Sequence, residues 1–297
     1  MKTTVTVGIC ALNEEKTIKK VIEQVLSQQE NQWTLKEIRV YSDGSTDGTV
    51  TQAQSVKDKR LTVIPSPVRK GKTFRLQQLF DESKGDIVVM FDADISIKGN
   101  SVVSTLINAF EDPNVALVGG NSRPFAPRTF FEKAVYSTFR IFYASRLKIR
   151  GGNSIFGATG SIMAGRTSFL RSFRFPSIIN EDAFVYMTCL SQGLKFRYVD
   201  EAVIEYKLPN NARDYVKQVL RSEPGSVSHE LEKYFGEDVR QEFARPLGFY
   251  VYSVLIELMR NPIGVSYIII LNILCRWFAP HVLKNYKLEW FTAHSTH

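Results

Sequence analysis

GDIVVMFDADI, residues 85–95, is a run of strand-forming residues that ends abruptly on two aspartates separated by one alanine. In an extended segment, side chains i and i+2 share a face, so Asp92 and Asp94 are expected to project together from the strand's end. Two carboxylates held that close repel each other unless a cation lies between them. Oxygen ligands of this hard character suit Mg²⁺ or Mn²⁺, with phosphates of a bound molecule completing the shell. The chain around the pair is basic, with a formal net charge of +8. That excess points to an anionic partner: nucleic acid, a phosphorylated ligand or a membrane surface.

Working outward from this strand, VTVGIC (5–10), EIRVYS (37–42), RLTVIP (60–65) and VALVGG (115–120) are also rich in β-branched residues. Helix-length segments lie between them, with apolar positions such as Ile18, Val21, Ile22 and Val25 three and four residues apart. Strands alternating with helices predict an α/β fold, a mostly parallel sheet covered by helices on both faces. Ligands of such sheets sit in the crevice beyond the carboxyl ends of the strands. The loops after the first two strands carry neither G-x-G-x-x-G nor G-x-x-x-x-G-K-[ST], which argues against a dinucleotide or P-loop site there. SDGSTDGT (42–49) instead offers turn chemistry and a helix start, with Ser45 or Thr46 as cap, Gly44 easing the turn and Asp47 near the positive helix end. No zinc-ligand spacing or RNP-like aromatic motif supports nucleic-acid binding. Cys10, Cys189 and Cys275 are odd in number and far apart, and read as reduced, buried residues on the cytoplasmic side. The N-terminus reads as a first strand rather than a signal peptide.

ALNEE (11–15), SDGSTDGT (42–49), RKGKTFRL (69–76) and FDADI (91–95) occur in this order, each after an expected strand or opening a helix. Together they resemble the nucleotide-sugar half of the family 2 inverting glycosyltransferases, which have the GT-A fold. The resemblance extends roughly from Thr4 to Arg221. It implies that Ala11 and Glu14 border the nucleotide base and ribose, and that Asp43 contacts the base. It places Lys72 near the nucleotide or its phosphates and Asp92 by the ribose and metal. Asp94 would ligate the Mg²⁺ or Mn²⁺ that bridges the diphosphate.

In the second half, TFFEKAVYSTFRIFYASRLKIR (129–150) alternates aromatic and basic residues, and reads either as a surface amphipathic helix or as a membrane- or partner-facing one. GGNSIFGATGSIMAGR (151–166) is dense in small residues. The resemblance puts Gly157, Gly160 and Ser161 on the acceptor side, where glycine allows close backbone approach. Glu181 and Asp182 in PSIINEDAFVYMTCLSQG (176–193) open an expected helix, where acidic residues are favourable in any case. The resemblance makes Asp182 the catalytic base, which an attacking acceptor hydroxyl requires, with Glu181 as its neighbour in the pocket. Gln218 and Arg221 in DYVKQVLRS (214–222) resemble a truncated Gln-x-x-Arg-Trp motif of the processive synthases, with Gln218 on the acceptor side and Arg221 near the diphosphate. Ser222 stands where that motif has its tryptophan, which weakens a polymerase reading.

PLGFYVYSVLIELM (246–259) and PIGVSYIIILNILC (262–275) are each shorter than the about 17–25 apolar residues of a spanning helix. They read as helices packed on the catalytic domain, a dimer interface, or elements lying in the membrane interface. The expected division is a catalytic domain at 1–225, with a nucleotide-sugar half at 1–120 and an acceptor half at 121–225, followed by a helical extension at 226–297. The expected activity is metal-dependent, inverting transfer of a sugar from a nucleotide-diphospho-sugar, UDP-linked, to a lipid-linked or growing glycan. It would take place at the cytoplasmic membrane face, through 129–150 or 245–290, with a homo-oligomer also open. The alternatives are a sugar-phosphate nucleotidyltransferase and a non-catalytic sugar-nucleotide-binding subunit.

Overall fold

The computed structural model describes residues 2–221 and 224–283. In chain order it runs β1 (Thr3–Ala11), α1 (Ile18–Leu26), β2 (Trp33–Asp43), α2 (Thr49–Ser55), β3 (Leu61–Ser66), α3 (Lys72–Glu82), β4 (Ile87–Asp92) and β5 (Ile95–Ile97). Then come α4 (Val102–Asn108), β6 (Val115–Pro124), α5 (Phe130–Lys148), β7 (Ile162–Arg166), α6 (Thr167–Leu170), α7 (Glu181–Ser191) and β8 (Lys195–Tyr206). Helices α8 (Ala212–Arg221), α9 (Pro224–Phe235), α10 (Val239–Glu242), α11 (Leu247–Arg260) and α12 (Pro262–Leu283) complete it. The part of the expected membrane-facing segment beyond Leu283, and Ser222 of the truncated motif, lie outside the described residues.

Two compact units emerge. The first joins the chain up to Arg123 with Gly157–Tyr206 and holds the sheet; the second joins Pro124–Phe156 with the chain from Lys207. The sheet has eight strands in the order β3-β2-β1-β4-β7-β6-β8-β5. β3, β2, β1 and β4 are mutually parallel, as the strand-helix alternation requires. β7 pairs antiparallel with both β4 and β6, and β5 pairs antiparallel with β8.

Strand β1 lies at the centre of the parallel half and is buried on both faces from Val5 onward. Helix α1 covers one face with Ile18, Val21, Ile22 and Val25, the stripe expected of a 3.6-residue period. Helix α3 approaches β1 at Gly8, where a Cβ would lie 2.0 Å from Leu79 Cδ2. The missing side chain therefore sets how closely α3 can pack. Helix α2 begins later than the sequence suggests. Gly48 occupies the N-cap position, and Asp47 rather than Ser45 or Thr46 accepts the Thr49 amide. Ser45 and Thr46 are instead engaged by Asn13.

In the second unit, α5 begins with a capping box formed by Thr129 and Glu132. Glu257 of α11 is buried and pairs with Arg140 of α5 and with Arg260, each at 3.0 Å. The Asn261 amide donates to the Lys133 carbonyl, and the Tyr215 hydroxyl of α8 donates to Asn272 of α12. The apolar stretch at 262–275 continues as helix to Leu283. No helix among the described residues is long and apolar enough to cross a membrane.

Gly8→Ala is expected to force Leu79 out of its place and destabilise the first unit by about 1–3 kcal/mol, the usual range for overpacking. A chemical-denaturation midpoint unchanged from wild type would show that α3 repacks without cost.

Candidate active site

The carboxyl ends of β1, β2 and β4 lie side by side, with Ala11 in register with Ser42 and Cys10 with Asp92. The loops that follow β1 and β2 are laced together. The Asn13 amide donates to Ser45 Oγ at 3.1 Å, and the Thr46 amide donates to Asn13 Oδ1 at 2.8 Å. Glu14 donates its amide to Thr49 Oγ1, and the Gly48 amide donates to Glu15 Oε2. Asn13 adopts φ 58°, a left-handed conformation that asparagine tolerates better than most residues. Sequence reading passed over Asn13 in this role, although an Asn directly after a strand is the available signal. Ala11 is fully buried, and Glu14 is buried with its carboxylate accepting the Thr17 hydroxyl at 2.8 Å.

Asp43, at the end of β2, is also fully buried. Its oxygens accept the Lys70 and Gly71 amides at 2.8 Å each and Arg75 Nε at 2.7 Å. Arg75 was not legible as a site residue. Its one sequence signal is a charged residue beside Leu76 on the buried face of α3. The three donors fix the turn that leads into α3. Gly71 takes φ 94° there, a conformation that favours glycine. Lys72 then opens the helix with its side chain toward β4.

Strand β4 ends at Asp92, Ala93 and Asp94 form a turn, and β5 begins at Ile95. Burial still alternates from Phe91 to Ile97, so Asp92 and Asp94 both fall on the partly exposed side. Lys72 Nζ lies 2.8 Å from Asp92 Oδ1 and 2.8 Å from Glu181 Oε1. Burial alone would depress the ammonium's pKa, but the charges of Asp92 and Glu181 outweigh it and hold the value above that of an ordinary lysine. Among the described residues no group of three or more His, Cys, Asp or Glu side chains gathers as a ready-made metal cage. The available donor set is the Asp92 and Asp94 carboxylates. That pair fits Mg²⁺ or Mn²⁺, which keep several waters and use one or two carboxylates together with substrate phosphates.

Asp182 lies in the first turn of α7. Its Oδ1 accepts the Ala183 amide at 2.8 Å and its Oδ2 the Gly160 amide at 3.1 Å. Burial, followed by the charge of Glu181, pushes its carboxyl up to about 6, against the opposing pull of the Ala183 amide, Lys72 and the Gly160 amide. Ser161 is held on both sides: its carbonyl accepts the Asp92 amide at 3.2 Å and its hydroxyl donates to Ser122 Oγ at 2.9 Å. Gly157 presents its carbonyl to Gly119, where a Cβ would come within 2.3 Å. Burial pushes the Cys10 thiol up to about 12, so it is a neutral group in the floor of the site and no nucleophile.

The first unit therefore brings Lys72, Asp92, Gly160, Ser161, Glu181 and Asp182 into one hydrogen-bonded cluster, beside the loops that carry Ala11, Glu14 and Asp43. Gln218 and Arg221 lie on α8 in the second unit.

Several known proteins are similar to this chain. The chain is 24% identical over 264 residues to the poly-β-1,6-N-acetyl-D-glucosamine synthase of Staphylococcus aureus (strain COL), covering 86% of this chain and 62% of that protein. It is 28% identical over 205 residues to an N-acetylglucosaminyltransferase of Rhizobium meliloti (strain 1021), covering 62% of this chain and 47% of the relative. The chain thus spans less than two thirds of the length of either relative. Among solved structures, a mannosyltransferase from Pyrobaculum calidifontis in complex with GDP-mannose and Mn²⁺ superposes with a TM-score of 0.58 at 19% identity, covering 97% of this chain and 77% of that one. Glucosyl-3-phosphoglycerate synthase from Mycobacterium tuberculosis with Mn²⁺ and UDP-glucose gives a TM-score of 0.54 at 20% identity, covering 77% and 78% of the two chains. These likenesses establish the GT-A fold. The model of glycosyl transferase family 2 matches residues 6–173, more than half of the chain and every motif from ALNEE to the Gly157–Ser161 loop, and the protein belongs to that family.

Proposed function

We propose that this glycosyltransferase moves a sugar from a UDP-linked donor to a hydroxyl of a lipid-linked or growing glycan, with inversion at the anomeric carbon. The observation that carries this reading is the cluster in which Lys72 touches both the donor-side carboxylate Asp92 and the residue next to Asp182. Both curated relatives carry N-acetylglucosamine in their names, which supports UDP-N-acetylglucosamine as the first donor to test.

In this reaction the acceptor oxygen forms a bond to the anomeric carbon while the bond to the nucleoside diphosphate breaks. The hydroxyl proton passes to an Asp182 carboxylate oxygen. The Gly160 and Ala183 amides hold that carboxylate in orientation, and its raised pKa suits it to accept a proton near neutrality. Asp92 and Asp94 would hold Mg²⁺ or Mn²⁺, which when bound neutralises charge growing on the leaving diphosphate. Ala11, Glu14 and Asp43 would shape the nucleoside side, and Gly157, Gly160 and Ser161 the acceptor side. For Gln218 and Arg221, on α8 of the second unit, the proposal rests only on the resemblance of 214–222 to the Gln-x-x-Arg motif. The family match does not support the nucleotidyltransferase alternative.

The second unit supports a place at the cytoplasmic membrane face. Leu247, Val251, Leu255 and Met259 form an exposed stripe on α11, and Ile263, Tyr267, Ile270, Leu274 and Trp277 another on α12. From Arg245 to Leu283 the sequence has a single acidic residue, Glu257, and three arginines. Glu257 is buried and paired, so the apolar stripes carry no exposed carboxylate among the described residues and the segment's formal charge is positive, which complements an anionic lipid surface.

Five measurements test this reading. Calorimetry is expected to show Mn²⁺-dependent binding of UDP that Asp94→Asn abolishes; unchanged affinity in the variant would remove the metal role. Transfer is expected to fall with unit slope as pH drops below about 6, because the base must be deprotonated. Asp182→Asn should lose at least about 10²-fold in kcat while retaining UDP affinity, and transfer persisting at the wild-type rate would reassign the base. Since burial holds the Asp182 value above the ordinary 3.8, its contribution to stability is present in acid and lost as pH rises through about 6. The Asn variant should accordingly gain thermal stability above that pH. Vesicles containing phosphatidylglycerol, but not phosphatidylcholine alone, should sediment the protein, and Met259→Glu with Ile263→Glu should abolish this. Equal retention on both lipids, or by the variant, would remove the lipid surface.

A further inference from the structure

Lys72 touches both the strand side and the helix side of the cluster through one atom. Its ammonium is 2.8 Å from Asp92 on β4 and 2.8 Å from Glu181 on α7, and all three side chains are largely buried. A second observation concerns Gly160. A Cβ there would lie 3.1 Å from Lys72 Nζ and 3.2 Å from Glu181 Oε1. Gly160 is absent from the residues with positive φ, so its backbone conformation does not demand glycine. The space a side chain would fill is the space of the Lys72–Glu181 contact. The same loop is fastened to Asp92 and to the residue next to Glu181, since Asp92 donates its amide to the Ser161 carbonyl and Gly160 donates its own to Asp182.

We infer that Lys72 is a positioning residue: its shared ammonium sets the spacing between the donor-side strand and the helix that carries Asp182, and Gly160 leaves the room this bridge needs. The inference rests on the transferase reading, in which Asp92 faces the donor and Asp182 takes the acceptor proton. It differs from a role for Lys72 at the diphosphate alone, because it makes Glu181 equally necessary. An ammonium is suited to the task. It is a compact charge with three donors on a flexible stem, and it can meet two carboxylates from different directions. Small displacements matter in such a site, where a shift of about 1 Å can cost on the order of 10²-fold in rate.

The test is a double-mutant cycle of Lys72→Met and Glu181→Gln, read twice. Thermal denaturation of the nucleotide-free protein reports whether the two side chains interact at all. Release of UDP from UDP-N-acetylglucosamine, together with UDP affinity in Mn²⁺, reports whether the contact positions the base. The expected result is coupling in both readouts, with each single variant losing roughly 10-fold or more in kcat and the double variant no worse than the poorer single. UDP affinity should change little in Glu181→Gln, and Lys72→Arg should recover part of kcat. Gly160→Ala, which keeps every charge, should lower kcat at unchanged UDP affinity. It also serves as the probe if Lys72→Met does not fold. Multiplicative losses, or a loss of UDP affinity in Lys72→Met with Glu181→Gln at the wild-type rate, would overturn the inference and leave Lys72 acting on the diphosphate alone. A wild type that turns over no donor while the denaturation cycle still shows coupling would overturn the transferase reading and the positioning role with it, leaving the bridge as a structural link.

Discussion

The carboxylate of Asp43 is fully buried at the end of β2, and the site depends on how that charge is compensated. A buried carboxylate is costly unless it is paired and hydrogen-bonded. Here the pairing comes from the loop and helix that follow β3. Two backbone amides and the Arg75 guanidinium converge on it, and they fix the turn at Lys70–Gly71 and with it the first residue of α3. That first residue is Lys72, which reaches Asp92 and Glu181. A charge buried on one strand is thus linked, through a chain of short contacts, to the first residue of α7.

The same cluster places neighbouring carboxyl groups in different surroundings. Asp92 and Glu181 share the Lys72 ammonium, each at 2.8 Å. Asp182 is held mainly by two backbone amides and feels the charge of Glu181 beside it, so its carboxyl is pushed up toward neutrality. Such differences in surroundings set neighbouring carboxyl groups apart within one pocket. Lys72, Asp92 and Asp182 come from three different elements, α3, β4 and α7, so the separation is a property of the fold and not of any one motif.

Much of this was legible in the sequence because it is local. The apolar positions of α1, the strand ending at Asp92 and the acidic opening of α7 follow from periodicities that adjacent residues reveal. What was not legible depends on which side chains meet across the fold. FDADI does not announce that its first aspartate is bound to a lysine twenty residues earlier, nor that a turn begins at Ala93. SDGSTDGT reads as a helix cap on Ser45 or Thr46, yet those residues are taken by Asn13 in a loop more than thirty residues away. Nor does composition reveal that the Asp43 carboxylate meets Lys70, Gly71 and Arg75. The antiparallel pairings of β7 and β8 bring together strands separated by helical segments, and no local pattern encodes that choice of neighbour.

The basic character of the chain finds part of its explanation in the same accounting of buried polar groups. Arg166 donates to the carbonyls of Phe110, Asp112 and Val115, and Arg171 to those of Phe80, Asp81 and Ser83. Arg171 thus serves carbonyls at the carboxyl end of α3, and Arg166 those of the helical turn at Ala109–Glu111 that follows α4, of Asp112 just beyond it and of Val115 at the start of β6. Such carbonyls lack intrahelical partners, and positive charge there is favoured by the helix dipole. The two arginines flank α6, five residues apart, and tie the ends of both helices to the segment that leads from β7 toward α7. Arg75 is similarly enclosed with Asp43. Cations that neutralise carbonyls and buried acids inside the fold raise the net charge without presenting it to a partner. A formal charge of +8 is therefore a poor guide to nucleic-acid binding here. The arginines that bear on partners are those outside such contacts, and charge counted from composition cannot tell the two kinds apart.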